Sequence, residues 1–397
     1  MSLPSANPAH LDTTNLHELF RDLVDFPSVS QQEGPLADAV EAVLREITGL
    51  QVDRIGNSVV ARTDMGRPER VLIAGHLDTV PIVDNLPSHV HTVDGEEYLV
   101  GRGTCDMKGG VAVALYLASH LHEPNRDLTF VFYEAEEIAA EHNGLGKIAA
   151  ARPDLLHADL AILMEPTDGV VEGGCQGTMR FTLDVAGQAA HSARSWKGRN
   201  AIHRLLPILQ ILSDWQQHDP HVLVEGLRFR EGLNATMLQA GVAGNVIAPS
   251  ARIQINYRFA PDKTAAQART AMEELFADWP MTVLDLSSPA RPGLDQPLAT
   301  SFVAAVGSQP GPKYGWTDVA RFSELGIPAL NFGPGDPMYA HKDDECCRLS
   351  SLDETLAALV TWLDQDDVIK LAGEGEKAVT TSEAEQGLAT RKVGESK

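Results

Sequence analysis

The stretch Val71-Leu72-Ile73-Ala74-Gly75-His76-Leu77-Asp78-Thr79-Val80-Pro81 sets the architecture of this chain. Four consecutive apolar residues run into a glycine and then into a His-x-Asp pair. A short continuous apolar run suits a strand buried on both faces, as in a sheet covered by helices. The polar pair then falls just past the carboxyl end of that strand, where open α/β sheets collect their ligands.

The arrangement recurs outward along the chain. Thr129-Phe130-Val131-Phe132-Tyr133 predicts a second buried strand and closes on Glu134-Ala135-Glu136-Glu137. Leu160-Ala161-Ile162-Leu163-Met164 predicts a third and closes on Glu165-Pro166-Thr167. Ala329-Leu330-Asn331-Phe332 comes shortly before Tyr339-Ala340-His341-Lys342-Asp343. Between the first two strands lies Gly101-Arg102-Gly103-Thr104-Cys105-Asp106-Met107-Lys108-Gly109-Gly110, and residues 111–121 after it predict a buried helix. Upstream, Leu16, Leu19, Phe20, Leu23 and Val24 recur at helical spacing, as do Leu36, Val40, Val43, Leu44 and Ile47. This alternation predicts an α/β domain whose parallel or mixed sheet is covered by helices.

The pattern changes in the middle of the chain. Residues 181–185 and 252–258 alternate apolar and polar, as strands with one wet face do. Residues 201–215 and 264–276 predict amphipathic helices. The predicted organisation is therefore a discontinuous α/β domain, residues 1–176 and 290–370, with a smaller α+β insert at 177–289. Residues 371–397, rich in Gly, Ala, Glu, Ser and Thr without apolar periodicity, predict a mobile tail.

Composition excludes several classes of function. Asp and Glu number 55 against 32 Lys and Arg, a net charge of −23 over 397 residues. Nucleic acid and anionic membrane surfaces are thus unsuitable partners, because both need a basic face. Four cysteines without a CxxC spacing make neither a disulfide framework nor a zinc ribbon. With no basic leader before an apolar run, and no run approaching ~20 apolar residues, the expectation is a cytoplasmic protein.

The chemistry lies in the strand-end clusters. Singly each is weak, since a Glu-Glu pair commonly begins a solvated helix and a histidine after a strand is commonly structural. Together, His76, Asp106, Glu137, Glu165 and His341 carry three negative charges when ionised, and such acids repel one another unless cations neutralise them. Two divalent ions would do so, and nitrogen and oxygen donors without thiolate suit Zn, Co or Mn. Asp78 would hold the far ring nitrogen of His76 and fix its tautomer. Consecutive Glu136 and Glu137 point different ways, so one can ligate while the other remains a free base, as metal-assisted hydrolysis requires.

The strings GHLDTVP, GRGTCDMKGG, EAEE followed by NGLG, MEPT and AHKDDE resemble the di-zinc aminoacylase and peptidase family that includes carboxypeptidase G. The resemblance runs from about Leu16 to Leu363. It implies a zinc-exopeptidase-like α/β catalytic domain with a mixed sheet, plus an inserted α+β, ferredoxin-like dimerisation and lid domain. It further implies two divalent ions, zinc with cobalt or manganese as options for the second, bridged by Asp106. His76 and Glu165 would complete one site, Glu137 and His341 the other. Glu136 would be the general base, Asp78 would orient His76, and the Asp106–Met107 peptide would be cis. His191 of the lid would reach the partner's site in a homodimer and stabilise the oxyanion.

GCQGT, AHSARSW, GNVIA, INYRFAPD, KYGWTDVARF and NFGPGDP narrow the resemblance to one branch. Its members hydrolyse N-succinyl-LL-2,6-diaminopimelate to succinate and LL-2,6-diaminopimelate, on the route to lysine. By that likeness Arg258, Asn245, Gly315, Thr317 and Gly335 would meet the small succinylated diamino acid. Many members carry Gly-Arg-Arg-Gly where this chain has Gly174-Cys175-Gln176-Gly177, which removes two possible carboxylate clamps. The metal core would equally serve an acetylornithine deacetylase or a carboxypeptidase. A metal-loaded binding protein is disfavoured, having no need of Glu136.

Overall fold

The computed structural model describes residues 11–364, so the tail expected at 371–397 lies outside the described residues. In chain order the strands are β1 (Gln51–Ile55), β2 (Ser58–Arg62), β3 (Arg70–His76), β4 (His89–Val93), β5 (Glu96–Val100), β6 (Asp127–Tyr133), β7 (Leu160–Leu163), β8 (Glu172–Gly173), β9 (Gly177–Ala186), β10 (His221–Val224), β11 (Leu227–Arg230), β12 (Gly232–Ala240), β13 (Ser250–Phe259), β14 (Met281–Ser287), β15 (Gly311–Pro312), β16 (Ala329–Asn331) and β17 (Cys346–Arg348). The helices are α1 (Leu16–Asp25), α2 (Gly34–Glu46), α3 (Gly109–His120), α4 (Gly144–Ala151), α5 (Leu206–Gln217), α6 (Ala265–Leu275), α7 (Pro297–Val306), α8 (Val319–Glu324) and α9 (Leu349–Leu363).

The central sheet runs β1-β2-β6-β3-β7-β16-β8-β15. Within it β6, β3, β7 and β16 are mutually parallel, while β2 runs against β6 and β8 runs against β16. The continuous apolar run of β3 is explained by two cores. Val71 and Ile73 join the cluster formed with α1, α3 and α9, whereas Leu72 and Ala74 join the cluster formed with α4 and α8. Alternate residues of a strand face opposite sides, so a sheet covered on both faces needs apolar residues at every position. The helix expected at 111–121 begins slightly earlier, at Gly109, and is buried from Gly109 through Ala118. Its start presses on the end of β7, since a Cβ on Gly110 would lie 2.1 Å from the Met164 carbonyl oxygen.

The middle of the chain forms a separate antiparallel sheet in the order β12-β13-β9-β14. With α5 and α6 packed on it, the connection is β-α-β-β-α-β, the ferredoxin-like arrangement, around a core of its own that includes Phe181, Ile208, Ile253, Tyr257 and Met272. Thr264 and Gln267 form a full capping box at the start of α6. The helix expected at 201–215 instead opens as a 3₁₀ turn, with α5 proper starting at Leu206 and Pro207 in its first turn. Strand β12 had no signature in the sequence: residues 234–240 are all exposed, so no apolar alternation marks them. Among the described residues no helix is long and apolar enough to cross a membrane.

Candidate metal centre and active site

Four parallel strands deliver their carboxyl ends to one edge of the sheet. β3 ends on His76, which pairs in register with Tyr133, the last residue of β6. The chain leaving β6 therefore places Glu134 to Glu137 beside His76, and Glu165 follows β7 directly. His341 comes from the loop between β16 and β17.

His76 is buried and both its ring nitrogens are engaged. Nδ1 lies 2.9 Å from the Asp78 carbonyl oxygen and Nε2 3.1 Å from Asp106 Oδ1. A carbonyl only accepts, so Nδ1 carries the hydrogen and Nε2 is the nitrogen turned to the acids. Burial acts to lower the His76 pKa, but hydrogen bonds and charges from Asp106 and Asp78 outweigh it and hold it well above the ordinary value. Asp106 Oδ2 lies 3.2 Å from His341 Nε2, which is itself 2.9 Å from Glu137 Oε1. Asp106 thus stands between two imidazoles. Burial opposes its ionisation, yet both histidines hold its carboxyl below the usual carboxylate range. The same bonds to Asp106 and Glu137 raise His341 to about 10. The Asp106–Met107 peptide is cis.

Glu165 and Glu136 complete the group without hydrogen-bonding to it. Glu165 is 6% exposed and its Oε1 has no hydrogen-bond partner among the described residues. Burial raises its pKa, and the charges of Asp106 and Glu137 add to that while His76 and Lys313 oppose. Burial likewise pushes Glu136 well above its ordinary value, with Glu165, Asp318 and Glu137 adding. Glu134 is tied elsewhere, to Lys147 Nζ at 2.8 Å.

A cation site fits these residues. One ligand atom from each of His76, Asp106 and Glu137 lies within 4.8 Å of the others. The orphaned buried oxygen of Glu165 and the upward shifts of Glu137 and Glu165 are what crowded anions show without a counter-charge. The donors are nitrogen and oxygen only, since the Cys105 thiol is engaged with the Asp336 carbonyl.

Two supports escaped the sequence reading. The Asp78 carboxylate is 3.5 Å from His76 Nδ1, farther than its own carbonyl, and instead accepts from Ser30 Oγ at 2.7 Å, Glu136 N–H at 3.0 Å and Glu137 N–H at 3.1 Å. It holds the acid loop as much as the histidine. Buried Glu345 accepts from the Cys105 and Asp106 N–H groups, each at 3.0 Å, and from Gly103 N–H and Arg102 Nη1. Arg102 also reaches the carbonyls of Pro81 and Lys342. The pair joins the segments carrying His76, Asp106 and His341. Both residues lie in the quoted strings, but nothing local separates them from solvated charges.

The sequence pattern of Peptidase family M20/M25/M40 matches residues 72–365. The chain belongs to that family. It is 50% identical over 331 residues to a Mycobacterium tuberculosis protein named "Putative succinyl-diaminopimelate desuccinylase DapE", covering 83% of this chain and 92% of that one. It is 45% identical to the Corynebacterium glutamicum succinyl-diaminopimelate desuccinylase, covering 87% and 95%. An M20 metallo-carboxypeptidase from Sulfolobus solfataricus shares the fold, with a TM-score of 0.69 at 15% identity over 87% of this chain and 98% of that one. The family resemblance read from the motifs is thereby established, together with the α/β-plus-ferredoxin-like fold.

Of the remaining candidates of this M20 chain, Gly335 lies against Cys105, the residue before Asp106, a Cβ there falling 3.3 Å from the Cys105 Sγ. His191 is exposed, its Nδ1 accepting from Ala193 N–H, and its neighbour Ser192 donates to the Asn245 carbonyl. Arg258 on β13 is half-buried, with a guanidinium that makes no hydrogen bond among the described residues. Burial lowers its pKa, with Asp285 and Cys175 opposing. The Thr317 hydroxyl is buried and donates to Asn331 Oδ1. Gly315 is exposed on the preceding turn. Gly335 is left-handed (φ 87) and accepts Asp168 N–H on its carbonyl. At the altered Cys175-Gln176 pair, the thiol is buried and the amide nitrogen donates to the Arg230 carbonyl.

Proposed function

We propose that this M20 chain is a metal-dependent amidohydrolase that releases succinate from N-succinyl-LL-2,6-diaminopimelate, acting in the cytoplasm. The observation that carries the proposal is a Glu136 carboxylate without a hydrogen-bond partner among the described residues, beside the His76–Asp106–His341–Glu137 chain, in a protein 50% identical over 331 residues to a named desuccinylase. His76, Asp106, Glu137, Glu165 and His341 would hold two divalent ions, zinc in this proposal, which would supply Lewis acidity and lower the pKa of water. Glu136 takes the proton of the attacking water and returns it to the leaving amine. Asp78 keeps the acid loop in place through the Glu136 and Glu137 N–H groups.

The lid unit acts as a dimerisation surface, and His191 of one subunit stabilises the oxyanion in the other's site. Supporting this, the exposed edge strand β12 and α5 present Met237, Leu238, Leu206 and Leu209 to solvent. Arg258, whose guanidinium makes no hydrogen bond among the described residues, meets a substrate carboxylate, with Asn245, Gly315, Thr317 and Gly335 placing the rest of the molecule. Succinate release from N-succinyl-LL-2,6-diaminopimelate by zinc-loaded protein tests the proposal, with N-acetylornithine alongside. Turnover of the first alone is expected; turnover of the second alone overturns the substrate and keeps the hydrolytic centre.

A further inference from the structure

The acid loop turns on a residue that non-glycine side chains rarely allow. Ala135, between β6 and the Glu136–Glu137 pair, is left-handed with φ 58, and Gln31 in a distant loop is left-handed with φ 72. Such conformations persist when surroundings over-determine them. Both amides end on one atom: Glu33 Oε1 accepts Gln31 N–H at 2.8 Å and Ala135 N–H at 3.1 Å. Glu33 is fully buried, and its Oε2 has no hydrogen-bond partner among the described residues. An apolar side chain would fill that space without burying a carboxylate; it could not accept two N–H groups.

We infer that Glu33 is a positioning residue of the hydrolytic site. By holding the Ala135 turn, it sends Glu137 into the histidine–aspartate chain and leaves Glu136 free. The inference rests on the proposed role of Glu136 as base. Glu33 stands 102 positions before Ala135 and outside the span matched by the family pattern. Its segment grips the loop from a second side, because Ser30 Oγ donates to the Asp78 carboxylate that in turn accepts the Glu136 and Glu137 amides. Turn and acids are thus fixed at three successive N–H groups, a restraint fine enough to matter where a displacement of about 1 Å can cost a hundredfold in rate.

The test uses the full-length, zinc-loaded protein. Glu33→Gln keeps an acceptor oxygen, whereas Glu33→Ala removes it. The expected results are a fall in kcat of about 10–100-fold for Glu33→Ala, with KM within about threefold, and near wild-type kcat for Glu33→Gln. Amide hydrogen exchange of residues 134–137 speeds up in Glu33→Ala only. Adding Ala135→Gly, which makes the left-handed turn cheap, restores part of the lost kcat. Asp127→Ala is the control for lost stability, since Asp127 caps Thr63, Met65 and Arg67 at the opposite end of β6. Equal kcat losses in the control at equal fall in Tm overturn the inference. So does Glu33→Gln as slow as Glu33→Ala, or unchanged exchange at 134–137. Exchange is read without substrate, so a wild-type protein inert on the succinylated diamine defeats the proposed activity while exchange still decides whether Glu33 holds the turn.

Discussion

Glu136 and Glu137 are neighbours with identical side chains, and what separates them is contact. Glu137 Oε1 is 2.9 Å from His341 Nε2, while the Glu136 carboxylate has no such partner among the described residues. Glu136→Gln should therefore keep the metal content of wild type and lose about 10²–10⁴-fold in kcat, read by metal analysis and succinate release; near wild-type rates would remove Glu136 from its role. The acids and histidines also set a pH dependence in the metal-free protein. Glu165, raised from 4.5 to about 8, keeps its proton in the folded state where the unfolded chain has released it, so stability falls as pH rises across that window. His341 acts in the same direction: its contribution is complete below 6.5 and is lost as pH rises toward about 10. Metal binding replaces those protons. The Tm gap between metal-loaded and chelated protein is expected to widen from about pH 5 to about pH 8. A gap that narrows would contradict the assignment of these residues to the cation site.

Helix α3 and strand β7 meet where no side chain fits. Gly110 leaves room for the Met164 carbonyl, and Gly333 does the same from the loop after β16, where a Cβ would lie 2.5 Å from that oxygen. Both contacts fall on the residue before Glu165, so the docking of these elements also aims a proposed ligand. Gly110→Ala is expected to cost about 1–3 kcal/mol in urea unfolding and to weaken metal retention against a chelator. Loss of stability with unchanged metal retention would show that the contact serves packing alone. At this scale much was legible in the sequence. The runs at 71–74, 130–133 and 160–163 are locally apolar at every position and lie in β3, β6 and β7. β12 was not legible, because an edge strand with both faces wet carries no periodic signal.

The antiparallel unit presents a group of large apolar side chains to solvent. Trp196, Leu206, Met237, Leu238 and Val242 are each more than half exposed, and edge strands with unpaired backbone groups invite pairing with another chain. Leu206→Glu combined with Leu238→Glu should yield monomers by light scattering. Because His191 is proposed to act in the partner's site, the same variant should lose kcat far more than it raises KM. A wild-type protein that is monomeric and active would overturn this arrangement.

The sequence by itself determined which segments are buried strands and which polar residues follow them, because both are local properties. His76, Asp106, Glu137, Glu165 and His341 could be singled out only together, since each alone has a common structural reading. Only the tertiary structure decided what those residues touch. Asp78 uses its carbonyl for His76 and its carboxylate for the acid loop. Glu345 grips Asp106 across 239 positions and Glu33 grips Ala135 across 102. A carboxylate has the same letter in the sequence whether it is solvated or accepts several buried N–H groups. Its role is set by the segments that close over it, and long-range chain closure is written in no local pattern.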